Sequence, residues 1–204
     1  MSGEAPARVA VLLSGRGSNL VAIADACARG EIPAEIVLVI SNKAGVAGLE
    51  RARERGIPAL VVPSKGLPRE EHERLLIAAI EEAQAGWVCL AGYMRLLTPT
   101  FIDHFAPRIV NIHPALLPSF PGVDAQHQAL AYGVKVTGCT VHLVDSGCDT
   151  GPIVLQRTVE VFDDDTAASL AARILEQEHI AYPAALRRLL TRPWRLDGRR
   201  VVFT

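Results

Sequence analysis

Asn111 and His113 stand two residues apart in an apolar run, Arg108-Ile-Val-Asn-Ile-His-Pro-Ala-Leu-Leu-Pro-Ser-Phe-Pro-Gly122. In an extended segment that spacing points both polar side chains to one side, while Val110 and Ile112 face the core. The pair suits a reaction at a carbonyl. The Asn111 amide is an unchargeable donor able to hold an oxyanion, and the His113 imidazole carries a proton that titrates near neutral pH. Pro114, Pro118 and Pro121 follow and restrict the backbone, so a positioned loop has less entropy to lose. The other reading is that Asn111 ends a strand and His113 is an ordinary surface or core histidine, since both types are common at turns.

Two further segments carry chemistry. Leu13-Ser-Gly-Arg-Gly-Ser-Asn-Leu20 falls where a strand turns into a helix. Its Gly15 and Gly17 permit close backbone approach, Ser18 adds a hydroxyl, and the amides of Gly17, Ser18 and Asn19 would open at a positive helix end, which reads as a phosphate loop. It lacks the third glycine of a dinucleotide fingerprint, where Leu20 stands, and the Gly-Lys-Ser/Thr of a nucleoside triphosphate loop, so a phosphate monoester fits better. A Gly-rich turn with no ligand is the alternative. Val144-Asp-Ser-Gly-Cys-Asp-Thr-Gly-Pro152 brings two carboxylates, Asp145 and Asp149, between apolar strands. A carboxylate beside His113 would raise the imidazole pKa and improve it as a general acid. A solvated turn remains open as an alternative; calcium ligation is disfavoured, because two carboxylates fall short of the six to eight oxygens that ion takes.

The elements that must position these groups alternate along the chain. Apolar runs at Arg8 to Leu13, Glu35 to Ile40, Ala59 to Val62, Trp87 to Ala91 and Arg108 to Ile112 read as strands, separated by helices at Asn19 to Arg29, Val46 to Arg55 and Glu70 to Ala85 and by one starting at Thr98-Pro99. This predicts an α/β fold, a single-domain, three-layer, doubly wound sheet, mostly parallel with right-handed crossovers, whose ligands collect at the carboxyl ends of the strands. A short helix is expected at Ala125 to Tyr132. Strands at Lys135 to Val144 and Ile153 to Val161 form an antiparallel C-terminal part. Asp165 is expected to cap a long helix from about Thr166 to Leu190 that Pro183 bends, and Trp194 to Phe203 to form a hairpin.

The chain has 204 residues, half of them hydrophobic, and 21 basic against 22 acidic residues leave a net charge of −1, which gives no electrostatic reason to expect nucleic acid or an acidic membrane. A short polar start, Met-Ser-Gly-Glu-Ala-Pro-Ala-Arg, and the absence of a spanning apolar run point to a cytoplasmic protein acting on small molecules. Cys27, Cys89, Cys139 and Cys148 are scattered without metal-ligand spacing and read as small core residues, Cys148 excepted because it sits in a Gly-rich loop without an activating base. His142, in an apolar strand, reads as a core histidine.

Ser14-Gly-Arg-Gly-Ser-Asn-Leu20, Ser41-Asn-Lys43, Leu90-Ala-Gly-Tyr-Met-Arg-Leu-Leu97, Asn111-Ile-His-Pro-Ala-Leu-Leu-Pro118 and Asp145-Ser-Gly-Cys-Asp-Thr-Gly-Pro-Ile153 together resemble the phosphoribosylglycinamide formyltransferases of the folate-dependent formyltransferase superfamily, nearly end to end. The resemblance implies a formyltransferase fold over 1–204, with a ribonucleotide-binding half at 1–100 and a catalytic and folate-binding half at 101–204. It implies formyl transfer from 10-formyltetrahydrofolate to the amine of glycinamide ribonucleotide, without a metal, by a monomer or homodimer. By the same resemblance His113 is the general acid, Asn111 the oxyanion donor and Asp149 the carboxylate that holds the imidazolium. Gly17, Ser18 and Asn19 match the phosphate loop and Glu178 a ribose-binding carboxylate. Arg69, Met94, Arg95, Leu96, Leu97, Asn111 and the backbone of Asp145, Ser146, Gly147, Cys148 and Asp149 match the folate pocket. Read without the family, Met94 and the leucines are plain core. The chain departs from the family's usual pattern at Gln126, where relatives commonly carry a histidine that here stands at His127. Three rivals share part of the pattern: a formyltetrahydrofolate hydrolase, a methionyl-tRNA formyltransferase, and a binding module without catalysis.

Overall fold

The computed structural model describes residues 5–204; Met1 to Glu4, half of the short polar start, lie outside the described residues. The chain adopts the expected α/β fold, mostly parallel with antiparallel C-terminal strands, and divides into two compact units at Val110/Asn111. The division falls inside a strand.

The first unit alternates strand and helix: β1 (Ala7–Leu13), α1 (Ser18–Ala28), β2 (Ala34–Ser41), α2 (Ala47–Glu54), β3 (Ala59–Val61), α3 (Arg69–Glu82), β4 (Trp87–Leu90) and α4 (Pro99–Phe105). Its strands lie in the order β3-β2-β1-β4, and β2 and β4 both run parallel to β1. β1 is fully buried from Val9 to Leu13, as a strand covered on both faces must be. Strand order reverses between β1 and β4, which makes their carboxyl ends the natural ligand crevice of such a sheet. The α4 start agrees with the sequence, Thr98 as N-cap and Pro99 in the first turn, but the Thr98 hydroxyl turns away from the helix. It donates to buried Glu73 of α3, whose second carboxylate oxygen accepts the Thr98 amide at 2.8 Å.

β5 (Ile109–His113) crosses from the first unit into the second. The second unit continues with α5 (Ala125–Tyr132), β6 (Val136–Leu143), β7 (Ile153–Glu160), α6 (Ala167–Thr191), β8 (Trp194–Asp197) and β9 (Arg200–Phe203). β6 and β7 pair antiparallel, and β8 and β9 form the expected terminal hairpin. One expectation for α6 needs correction. Thr166, not Asp165, is the N-cap, in a capping box with Ser169. Asp165 instead accepts two hydrogen bonds from the Arg173 guanidinium, at 2.8 and 2.9 Å, and that guanidinium lies 4.1 Å from the Phe162 ring centre. α6 also runs through Pro183 as one continuous helix.

Candidate active site

The catalytic candidates all come from the second unit. Asn111 and His113 are on β5 and point to one side, as their spacing requires, with Asn111 half-buried and His113 buried. The loop after them is pinned from β6 and β7. The Thr140 hydroxyl donates to the Ala115 carbonyl at 2.6 Å and accepts the Leu117 amide at 3.0 Å, while Gln156 Nε2 donates to the Leu117 carbonyl at 2.9 Å. The prolines narrow the loop's conformations, and these bonds select one; the Leu117–Pro118 peptide is cis.

Asp149 joins the pair from the β6–β7 loop. Its Oδ2 accepts the Gly122 amide at 2.8 Å and lies 3.3 Å from His113 Nδ1, and its Oδ1 lies 3.5 Å from Asn111 Nδ2. One carboxylate thus serves the imidazole with one oxygen and the amide with the other. Asp149 sits at φ 54°, and Phe120 and Asp124, either side of the Gly122 that it binds, at 55° and 56°; such left-handed backbone costs a residue with a Cβ about 1 kcal/mol or more, and Asp149's side-chain bonds hold it there.

His142 belongs to this cluster, and the sequence did not place it there. Its Nδ1 lies 2.9 Å from the Leu143 carbonyl, and its Nε2 lies 3.2 Å from Asn111 Nδ2 and 3.6 Å from Asp149 Oδ1. The Asn111 amide is turned with its NH2 toward Asp149 and His142. A signal was available: His142 and Asp149 flank the same turn between two strands, but alternation in an all-buried strand says nothing about which face holds chemistry.

The electrostatics are set by burial and by these partners. Burial pushes the Asp149 carboxyl up, but His142, the Gly122 amide and His113 together bring it down to about 2. Burial lowers the His113 pKa; the Phe120 carbonyl, 2.8 Å from Nε2, and the Asp149 charge raise it, and His142 lowers it again, leaving it below the ordinary value. Asp149 therefore acts in the expected direction, while the net shift is opposite to the expected rise because desolvation outweighs it. The Cys148 thiol, exposed, is raised by burial and by Asp149, so nothing activates it as a nucleophile.

In the first unit, Gly17 is the N-cap of α1 at φ 72°, Ser18 is half-buried and Asn19 buried. The Val21 amide bonds back to Gly17 O at 3.1 Å, so the amides ahead of it lie at the open, positive end of α1. A residue the sequence reading passed over shapes this loop. The Gly48 amide donates to Gly15 O at 3.1 Å, and a Cβ on Gly48 would stand 2.8 Å from the Leu13 side chain and 2.9 Å from Gly15 O.

A family model described as formyl transferase matches residues 7–186. The chain belongs to the formyl transferase family. This formyl transferase is 43% identical over 192 residues to the phosphoribosylglycinamide formyltransferase of Escherichia coli K12, which covers 94% of the chain and 88% of that protein. It is 50% identical over 187 residues to the trifunctional purine biosynthetic protein adenosine-3 of Drosophila melanogaster, 90% of the chain but only 14% of that much longer relative. The crystal structure of glycinamide ribonucleotide transformylase 1 from Symbiobacterium toebii superposes with a TM-score of 0.96 at 46% identity, over 100% of this chain and 99% of the other.

The remaining expected site residues of the formyl transferase are spread over both units. Arg69 is exposed at the start of α3, Arg95 and Leu97 are half-buried, and Met94 and Leu96 are 65% and 56% exposed. Met94 and Leu96 are therefore not core, which removes the packing explanation for them. Asp145 is half-buried; its Oδ1 accepts the Gly147 amide at 3.1 Å and the Thr150 hydroxyl at 2.6 Å, and Ser146, Gly147 and Cys148 are exposed. Glu178 is buried on α6, and with burial its charge helps push the Cys139 thiol up to about 12. His127 is exposed and Gln126 half-buried on α5. Among the described residues, no group of three or more His, Cys, Asp or Glu could hold a metal ion, and no helix is long and apolar enough to cross a membrane.

Proposed function

We propose that this formyl transferase moves the formyl group of 10-formyltetrahydrofolate to the primary amine of glycinamide ribonucleotide, giving formylglycinamide ribonucleotide and tetrahydrofolate in purine biosynthesis. The observation that carries the chemistry is the single Asp149 carboxylate placed against both His113 and Asn111. The choice of substrate is supported by the likeness to phosphoribosylglycinamide formyltransferase of E. coli over most of both chains.

The amine attacks the formyl carbon, and negative charge develops on the formyl oxygen. Asn111 holds one Nδ2 hydrogen on His142, whereas its 3.5 Å approach to Asp149 is long, so that hydrogen is the one a developing oxyanion takes up. The adduct must lose a proton from its new ammonium nitrogen and deliver one to the departing folate nitrogen. His113, with a pKa below the ordinary value, is mainly neutral near pH 7; with Nδ1 held on Asp149, its Nε2 exchanges the Phe120 carbonyl for the substrate, accepts the first proton and returns it as general acid to the leaving nitrogen. Asp149, ionised throughout this range, supports the imidazolium while it exists.

Gly17, Ser18 and Asn19 receive the ribonucleotide phosphate and Glu178 the ribose hydroxyls. Arg69, Met94, Arg95, Leu96 and Leu97, with Asn111 and the 145–149 backbone, take the folate; an exposed methionine and leucine offer apolar contact to a flat ring. The whole chain works as one formyltransferase domain in the cytoplasm, as a monomer or homodimer, without metal. An absorbance assay for tetrahydrofolate tests the reading. Product only when glycinamide ribonucleotide is present supports transfer; equal product without it makes the protein a hydrolase, and none in either case makes it a binding module.

A further inference from the structure

The loops after β1, β2, β3 and β4 are joined by a ring of hydrogen bonds that the chemistry above does not use. Ser14 Oγ accepts the Met94 amide at 2.9 Å and donates to Asn42 Oδ1 at 2.6 Å. Asn42 Nδ2 donates to Ser64 Oγ at 3.2 Å, Arg95 Nη1 donates to the Ser64 carbonyl at 3.3 Å, and the Met94–Arg95 peptide closes the circuit. The Ser14 amide bonds Gly92 O at 3.1 Å beside it. Ser14 and Asn42 are both buried, at 6% and 7% exposure.

The bond lengths set the directions. Ser14 Oγ accepts the Met94 amide, and its 2.6 Å contact with Asn42 is the length of an O–H···O bond, so the hydroxyl proton goes to the Asn42 carbonyl. Asn42 must then show its carbonyl to Ser14 and its amino group to Ser64. A short planar head with an acceptor and a donor side by side is what an asparagine supplies. Ser41 holds the turn that presents it, its hydroxyl bonded to both the Lys43 amide and the Lys43 carbonyl, at 3.0 and 2.8 Å.

The ring spans two binding segments. Gly15 to Asn19 begins at the residue after Ser14, and Met94 and Arg95 lie on its far side. Met94 and Leu96 are largely exposed, so between buried Tyr93 and the Thr98–Glu73 contact the polar ring, rather than their own packing, ties that stretch to the neighbouring loops. We propose that Asn42 is a positioning residue which couples the phosphate loop to the folate segment, so that ordering either one on its ligand lowers the cost of ordering the other. This rests on the assignment of those two segments made above.

The test uses the full chain with Asn42→Leu, which keeps the shape and loses the bonds, Ser14→Ala, which opens the ring elsewhere, and the double variant; Asn42→Ser, polar but too short to span the gap, serves if Asn42→Leu does not fold. Leaving buried partners unsatisfied corresponds to about a tenfold effect, so Asn42→Leu should raise KM for both glycinamide ribonucleotide and formylfolate by about that factor. Turnover should stay within about threefold, since Asn42 touches no reacting atom. Ser14→Ala should do the same, and the double variant should be no worse than the worse single change. A rise in only one KM, in neither, or a multiplicative double effect overturns the coupling. If the wild-type protein makes no ribonucleotide-dependent product, the functional reading fails, and amide exchange decides the ring alone. Asn42→Leu speeding exchange at both Met94 and Val21 supports it, and acceleration confined to Met94 overturns it.

Discussion

At the scale of single residues, the site depends on one carboxylate holding two neighbours of different chemistry. Asp149 Oδ2 faces His113 Nδ1 while Oδ1 faces Asn111 and His142, so replacing it removes a partner from all three at once. With saturating substrates, kcat of the wild-type enzyme should fall on acidification through a pKa below 6.5, where His113 can no longer accept a proton. Asp149→Asn removes the charge that raises His113, so that limb should move further toward acid; movement to higher pH would show that Asp149 does not act on His113 in this way. Gly48→Ala makes a separate statement. Its Cβ would press on Gly15 O and Leu13, so KM for the ribonucleotide should rise with kcat little changed, and an unaltered KM would detach α2 from phosphate binding.

Secondary-structure elements were the most legible level. Apolar runs such as Val9–Leu13 and Ile36–Ile40 are buried strands, and the Asn-x-His spacing gave the shared direction of Asn111 and His113, because period-two geometry is local. What escaped the sequence is what only folding brings together. Thr140 and Gln156 clamp a loop 23 to 39 residues away in the chain, Gly48 approaches Gly15, and His142 reaches Asn111 across 31 residues. None of these has a local signature. The cap of α6 was missed by one position because Asp165 and Thr166 are both good caps in isolation, and the Arg173 guanidinium decides between them by taking the carboxylate. Thr166→Ala should cost about 1 kcal/mol, lowering Tm by about 2–4 °C without changing KM. A thermal melt with no shift would mean that Ser169 and Asp165 hold the helix start unaided.

For the molecule as a whole, buried titratable groups set the pH range of stability. His72, His113 and His179 have pKa values lowered chiefly by burial, so the unfolded chain binds protons that the native one refuses as pH falls below the free imidazole value. Asp149, at about 2, adds stability that is present above the unfolded carboxyl pKa and lost as pH drops from there through 2. Both contributions have the same sign, so Tm should decline steadily on acidification from about pH 6.5. At the alkaline end, Cys27 and Cys139 are raised by burial, the latter to about 12, and their stabilisation is lost as pH rises above the ordinary thiol value. A melt series with its maximum well outside the interval between those limits would contradict this assignment. The chain covers only 14% of its trifunctional relative but 88% of the E. coli enzyme. The most direct test of the account is a single-turnover assay of formyl transfer to glycinamide ribonucleotide, wild-type against His113→Ala, with circular dichroism confirming that both are folded. A rate lower by about 10²–10⁴ in the variant is the predicted result, and transfer within about tenfold of wild type would contradict the assignment of proton transfer to His113.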